Sequence, residues 1–98
     1  MRYIFHPEAL QEYSDAVRYY AERDSGLAQS FINAVEDAVF RLRETPKRYP
    51  STVDHVRRCR VKKFPHSIVY SVEPDYILIL AVMHGKQRPG YWKSRQKG

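Results

Sequence analysis

The sequence predicts an α+β domain: a short N-terminal strand, an antiparallel α-helical hairpin, and a mainly antiparallel β-sheet on which the hairpin packs by one face. Three observations carry this. Residues 8 to 45 hold two apolar stripes at three- and four-residue spacing, broken once at Asp24–Ser25–Gly26. Residues 56 to 83 hold short β-branched and aromatic runs separated by proline-containing turns. A further short run of that kind precedes Pro7.

Arg2–Tyr3–Ile4–Phe5–His6 reads as an edge strand. His6–Pro7–Glu8 marks a helix start: proline has no N–H to leave unpaired there, and Glu8 suits the positive end of the helix dipole. Leu10, Tyr13, Ala16/Val17 and Tyr20 form this helix's apolar stripe, with Glu12, Asp15, Arg18 and Glu22 on the opposite side. Gly26 suits a left-handed turn in the break that follows. The second stripe is Ala28, Phe31/Ile32, Val35, Ala38/Val39 and Leu42, and it ends at Thr45–Pro46, because the residue before proline is pushed out of helical geometry. Two such helices joined by three residues form a hairpin whose shared apolar face needs cover.

The second half supplies that cover. A loop from Lys47 to Asp54 leads into a strand over Val56–Val61, which Phe64–Pro65 interrupts. Ser67 to Val72 alternates, with Ile68, Tyr70 and Val72 on one face. Glu73–Pro74–Asp75 is a hairpin turn, and Tyr76 to Met83, apolar on both faces, is the central strand. No repeat, linker or low-complexity segment divides the chain, so residues 1–98 are read as a single domain.

Composition sets further bounds. The run Tyr76–Met83 falls far short of the roughly 20 residues needed to span a bilayer, and the first residues lack a secretory signal pattern. A lone Cys59 cannot form an internal disulfide. The expected setting is cytoplasmic, with no membrane partner. Charge is uneven. Residues 1–50 carry seven Lys/Arg against eight Asp/Glu, whereas residues 51–98 carry ten against three. An excess that large implies a surface that meets a polyanion or an acidic partner.

If Cys59 and Val61 face the core, Arg58, Arg60 and Lys62 project from the other face. Lys63, Lys86, Arg88, Lys93, Arg95 and Lys97 add to the same basic side, with Tyr91 and Trp92 among them. Cations interleaved with aromatics suit RNA or single-stranded nucleic acid; the two rings can equally cap the core at the chain end. His84, at the end of the apolar run, has the chemistry of a general acid or base. His6, His55 and His66 show no metal-ligand spacing with each other or with Cys59, and no Gly-rich phosphate loop or paired metal-binding carboxylates are present. No metal and no cofactor are expected, so any phosphodiester chemistry would use side chains alone. The C-terminal stretch from Lys93 to Gly98, short and charged, is expected to be mobile.

Phe64–Pro65–His66–Ser67–Ile68–Val69–Tyr70, Ile79–Leu80–Ala81–Val82–Met83–His84 and Arg88–Pro89–Gly90–Tyr91–Trp92–Lys93–Ser94–Arg95 resemble, in order and spacing, the RelE/ParE superfamily of toxins from type II toxin–antitoxin (plasmid stabilization) systems. Ala16, Tyr19–Tyr20, Phe31, Val35–Glu36, Pro46 and Tyr49–Pro50 fit as well, so the resemblance covers nearly the whole chain. It implies the same helical hairpin on an antiparallel sheet. It also implies one of two activities: RelE-like members cut mRNA on the ribosome without metal, whereas ParE-like members poison DNA gyrase and inhibit growth that way. Ser67 stands where RelE-like nucleases tend to place an arginine, and Phe64–Pro65 and Pro89–Gly90–Tyr91–Trp92 look closer to the ParE branch.

Three functions follow from the resemblance, in order of preference. The first is a ParE-like, non-enzymatic inhibitor of DNA gyrase. The second is a ribosome-dependent mRNA endonuclease (an mRNA interferase) using His84, Arg88 and Tyr91, with Arg58 and Arg60 supplying charge. The third is a non-toxic basic module that binds nucleic acid or antitoxin. The resemblance also implies a cognate acidic antitoxin whose segment would lie on the basic sheet face and a hydrophobic helical groove. The assembly would be a homodimer or a heteromeric toxin–antitoxin complex.

Overall fold

Helix α1 (Pro7–Ala21) starts where proline costs nothing, and the His6 imidazole Nδ1 caps it by accepting from the Glu8 N–H at 3.0 Å. Helix α2 (Ser25–Glu44) starts one residue after Asp24, whose carboxylate accepts from the N–H groups of Gly26 and Leu27 at 2.7 and 3.3 Å. Gly26 therefore lies in the first turn of α2 and not in a left-handed turn: the aspartate cap satisfies the orphan N–H groups, and the three connecting residues are 22 to 24. The helix ends at Thr45, as the following proline requires.

The computed structural model describes residues 1–96. Strand β1 (Tyr3–Phe5) precedes the hairpin, and β2 (Arg57–Arg60), β3 (His66–Val72) and β4 (Ile77–His84) follow it. They form one sheet in the order β1-β4-β3-β2, with β1 parallel to β4 and the other pairs antiparallel. The edge position of β1 and the interior position of β4 are those the sequence predicts. The α+β class holds as well.

Two apolar clusters lie on the two faces of the sheet. On the helix side, Phe31, Val35, Ala38 and Leu42 of α2 pack against Cys59, Ile68, Tyr70, Ile77 and Ile79. The Phe31 ring lies 4.9 to 6.1 Å from the rings of Tyr13, Tyr20, Phe64 and His66, an aromatic knot that ties both helices to the β2–β3 turn. On the other side, Val56, Val69, Leu80, Ala81 and Met83 pack against Trp92. The register makes this division possible. Tyr70 pairs with Ile79 and Val69 with Ala81, so Leu80 is an extra residue bulged out of the ladder. Beyond that bulge the alternation inverts, which sends Ala81 and Met83 away from the helices and Val82 toward them.

The stripe on α1 differs from its sequence reading. Ala9 is fully buried while Leu10 is 53% exposed, because α1 approaches the sheet by its small residue. Glu12, placed by periodicity on the open side, has only 20% of its side chain exposed.

Candidate functional site

Alternation along β2 turns Cys59 toward α2 and turns Arg58 and Arg60 to the opposite face, beside Ser67 of β3. Arg58 is half-buried and Arg60 exposed. Both line a trough of about 740 Å³ whose far wall is Arg41 and Tyr49, wrapped around the β2 edge. Arg41 is already committed: it meets Asp37 at 2.9 Å, Cys59 Sγ at 3.4 Å and the Arg60 carbonyl at 3.0 Å. Burial pushes the Cys59 thiol up, which keeps it an inert core group. A second cavity of about 280 Å³, lined by Arg58, Met83, Trp92 and Lys93, shares Arg58 and Thr52 with the first.

The remaining basic residues do not form one strand face. Strand β2 ends at Arg60, so Lys62 and Lys63 sit exposed in the β2–β3 turn, Lys63 at φ 70°. Lys86 and Arg88 are exposed in the loop after β4. Arg95 is not a surface cation at all. It is 8% exposed; its Nη2 meets Glu12 Oε2 at 2.9 Å and Glu8 at 3.5 Å, and its Nη1 donates to the Leu80 carbonyl at 3.0 Å. Arg95 therefore belongs to the packing of the C-terminal segment, which forms a short helical turn over Lys93–Arg95. Lys97 lies outside the described residues.

The aromatics at the chain end are likewise spoken for. Trp92 is 3% exposed and caps the second apolar cluster, which is the core reading of that ring. The Tyr91 hydroxyl donates to Glu12 Oε2 at 2.9 Å. Burial, then that carboxylate, hold its pKa above the usual tyrosine range, the wrong direction for a base. His84 is the last residue of β4 and pairs with His66. Its Nδ1 accepts from the Lys86 N–H at 3.0 Å, and its ring lies 5.0 Å from that of His66. It lines a cavity of about 530 Å³ with Asp15 and Tyr19 of α1 and with Arg23, and this cavity shares Pro65 and His66 with the Arg58/Arg60 trough. Tyr91 thus stands apart from the Arg58/Arg60 pair, while His84 points to the helix side of the sheet in a cavity that adjoins their trough at Pro65 and His66. Arg88 joins none of the described cavities.

The helices carry apolar surface of their own. Leu10, Val17 and Ile32 line a groove of about 430 Å³ between α1 and α2, with Arg18 at its rim, and Phe40 stands 62% exposed beside Arg43 at another. No group of three or more His, Cys, Asp or Glu among the described residues could hold a metal ion, and no helix there is long and apolar enough to cross a membrane.

Sequence reasoning missed Glu12, Arg41, Tyr49 and Thr52. Glu12 reads as a solvent residue by periodicity, and its partners lie 70 to 83 residues away.

A helical hairpin on one sheet face, with linked cation-lined cavities at the other, defines a small basic α+β protein. The chain belongs to a family of just this build: the model of the ParE toxin of type II toxin–antitoxin system, parDE, matches residues 3–89. Among solved structures, a chain of the chromosomal ParDE TA system from P. aeruginosa has the same fold, with a TM-score of 0.74 and 19% identity over 86% of this chain and 95% of that one. No curated protein sequence matches the chain. Membership makes this a toxin-family protein of the ParE branch and implies an antitoxin partner.

Proposed function

We propose that the chain arrests growth by binding DNA gyrase and inhibiting it, without cleaving nucleic acid, and that a cognate antitoxin with an acidic, partly apolar segment neutralises it. Beyond family membership, the observation that carries this reading is the engagement of Tyr91 and Arg95 by Glu12. Metal-free cleavage of RNA asks for a base at the 2′-hydroxyl and a cation at the same phosphate. Here the tyrosine faces a carboxylate, the histidine faces α1, and the arginines of β2 lie on the other sheet face. Exposed cations without a convergent base suit binding.

The antitoxin would lay its apolar side chains along the α1–α2 groove at Leu10 and Ile32, its carboxylates reaching Arg18. The test is a supercoiling assay with purified gyrase and purified toxin, alongside pulse-labelling of DNA and protein synthesis after induction without antitoxin. Loss of supercoiling, with DNA synthesis failing before translation, is the expected result. Translation failing first would replace this reading with mRNA cleavage.

A further inference from the structure

The two cavities that Arg58 joins, one wrapping the β2 edge and one beside Trp92, differ from the other three in their charge. The groove beside His84 is lined by Asp15 as well as Arg23, and the groove beside Phe40 by Glu36 as well as Arg43. The α1–α2 groove is apolar with a single arginine. The joined trough of Arg41, Arg58, Arg60 and Lys93 has no carboxylate in its lining; its two parts meet at Arg58 and Thr52, and it adjoins the Asp15-lined cavity only at its Pro65–His66 end. Asp37 compensates Arg41, but Arg58, Arg60 and Lys93 have no ion-pair partner among the described residues. Three uncompensated cations along one trough raise the local potential and draw in an extended anion.

The kind of anion is narrowed by what the trough lacks. Single-stranded nucleic acid gains most from open aromatic faces on which bases stack. Trp92 is buried, and the Tyr91 ring is half-buried with its hydroxyl on Glu12, so the chain end offers no such platform. What remains is Arg and Lys chemistry, which neutralises phosphates without reading bases, the arginine fork fitting phosphate oxygens in pairs.

We propose that the trough formed by Arg58, Arg60 and Lys93 seats the phosphate backbone of double-stranded DNA, independently of sequence. The choice of DNA over another duplex rests on the gyrase reading: a toxin that grips both the enzyme and the DNA it handles would engage gyrase on its substrate. Binding through three phosphates releases about three counterions, so log K should fall against log salt with a slope of about −2.7.

The experiment is fluorescence anisotropy of the purified full chain with a labelled DNA duplex of about 20 base pairs, from about 50 to 200 mM KCl. The expected weakening across that range is roughly 40-fold. In Arg58→Ala/Lys93→Ala it should shrink to roughly 4-fold, with weaker binding at every salt concentration. Arg58→Lys keeps the charge and should keep the slope, which separates lost charge from lost folding. Arg18→Ala/Arg23→Ala, the same charge change on the helix side, should leave the slope unchanged. The proposal is overturned by an absence of salt-dependent binding, by an equal loss in the helix-side variant, by tighter binding of single-stranded RNA of the same length, or by displacement of DNA by polyglutamate at lower concentration than by unlabelled duplex. Gyrase inhibition by a toxin that does not bind DNA would remove this inference and leave the gyrase reading intact. DNA binding with unaffected gyrase would do the reverse.

Discussion

Glu12 and Arg95, 83 residues apart, meet at 2.9 Å and between them finish an edge of the sheet that its own strands leave open. Strand β1 stops at Phe5, opposite Ile79, so β4 has no strand neighbour on that side from Leu80 onward. The bulge at Leu80 leaves backbone groups there without ladder partners. Glu12 Oε1 accepts from the Val82 N–H at 2.9 Å, and Arg95 donates to the Leu80 carbonyl. A helix side chain and a C-terminal side chain thus take the place of a missing strand, and their ion pair holds the last turn against α1.

Removing one partner of a buried pair leaves the other desolvated and unpaired, which costs about 3 kcal/mol or more. Arg95→Ala should therefore lower the free energy of unfolding by about 3 kcal/mol in urea titration, with the Leu80 carbonyl also losing its donor. Glu12→Ala/Arg95→Ala should cost less than the two single changes added together, because both report on one network. Strict additivity would mean that the contact contributes little.

Stability should fall in acid through His66. Its ring is buried against Phe31 and Tyr20, its Nδ1 has no hydrogen-bond partner among the described residues, and burial, then repulsion from His84, lower its pKa from 6.5 to about 4. A lowered histidine pKa means that the unfolded chain binds the proton more tightly. No penalty exists above about pH 6.5; stability falls as the pH drops toward 4 and then levels, by about 3 kcal/mol in all. His66→Phe should flatten this part of the profile and cost little at neutral pH, since it removes an unpaired polar atom from an aromatic site. An unchanged slope in that variant would place the acid sensitivity elsewhere.

The fold was legible because its signals are local. The two helical stripes, Pro7, Thr45–Pro46 and the apolar run of β4 each announce an element within a few residues. The site was legible only in part, because its decisive contacts join distant residues and leave no periodic trace. Arg95 reads as one more cation in a basic tail until Glu12 is found beside it, and Trp92 and Tyr91 read as a stacking surface until the bulged strand is seen to bury one and Glu12 to hold the other. Leu10 misleads in the opposite way: α1 needs a small residue against the sheet, so Ala9 goes in and the larger side chain stays out.

Toxicity should survive the loss of both groups that cleavage would need. His84→Ala/Tyr91→Phe should still arrest growth and still stop DNA synthesis when expressed without antitoxin, with a stability cost of about 1 kcal/mol from the lost bond to Glu12. Abolished toxicity in a folded double variant, checked by circular dichroism, would restore the nuclease alternative.

The helical groove provides a separable prediction about neutralisation. Leu10 is exposed beside Val17 and Ile32, so Leu10→Asp changes a surface residue and should move folding stability by no more than about 0.5 kcal/mol. In a complex with an acidic, partly apolar antitoxin segment, the same change buries a carboxylate where a methyl group packs and sets it near like charge. Affinity for the antitoxin, measured by titration calorimetry, should fall at least about tenfold, equivalent to about 1.4 kcal/mol. Gyrase inhibition by the free variant should be unaltered, because the groove lies on the face away from the cation-lined trough. Full antitoxin affinity in Leu10→Asp would move the antitoxin off this groove, and loss of gyrase inhibition would place the target surface on the helices.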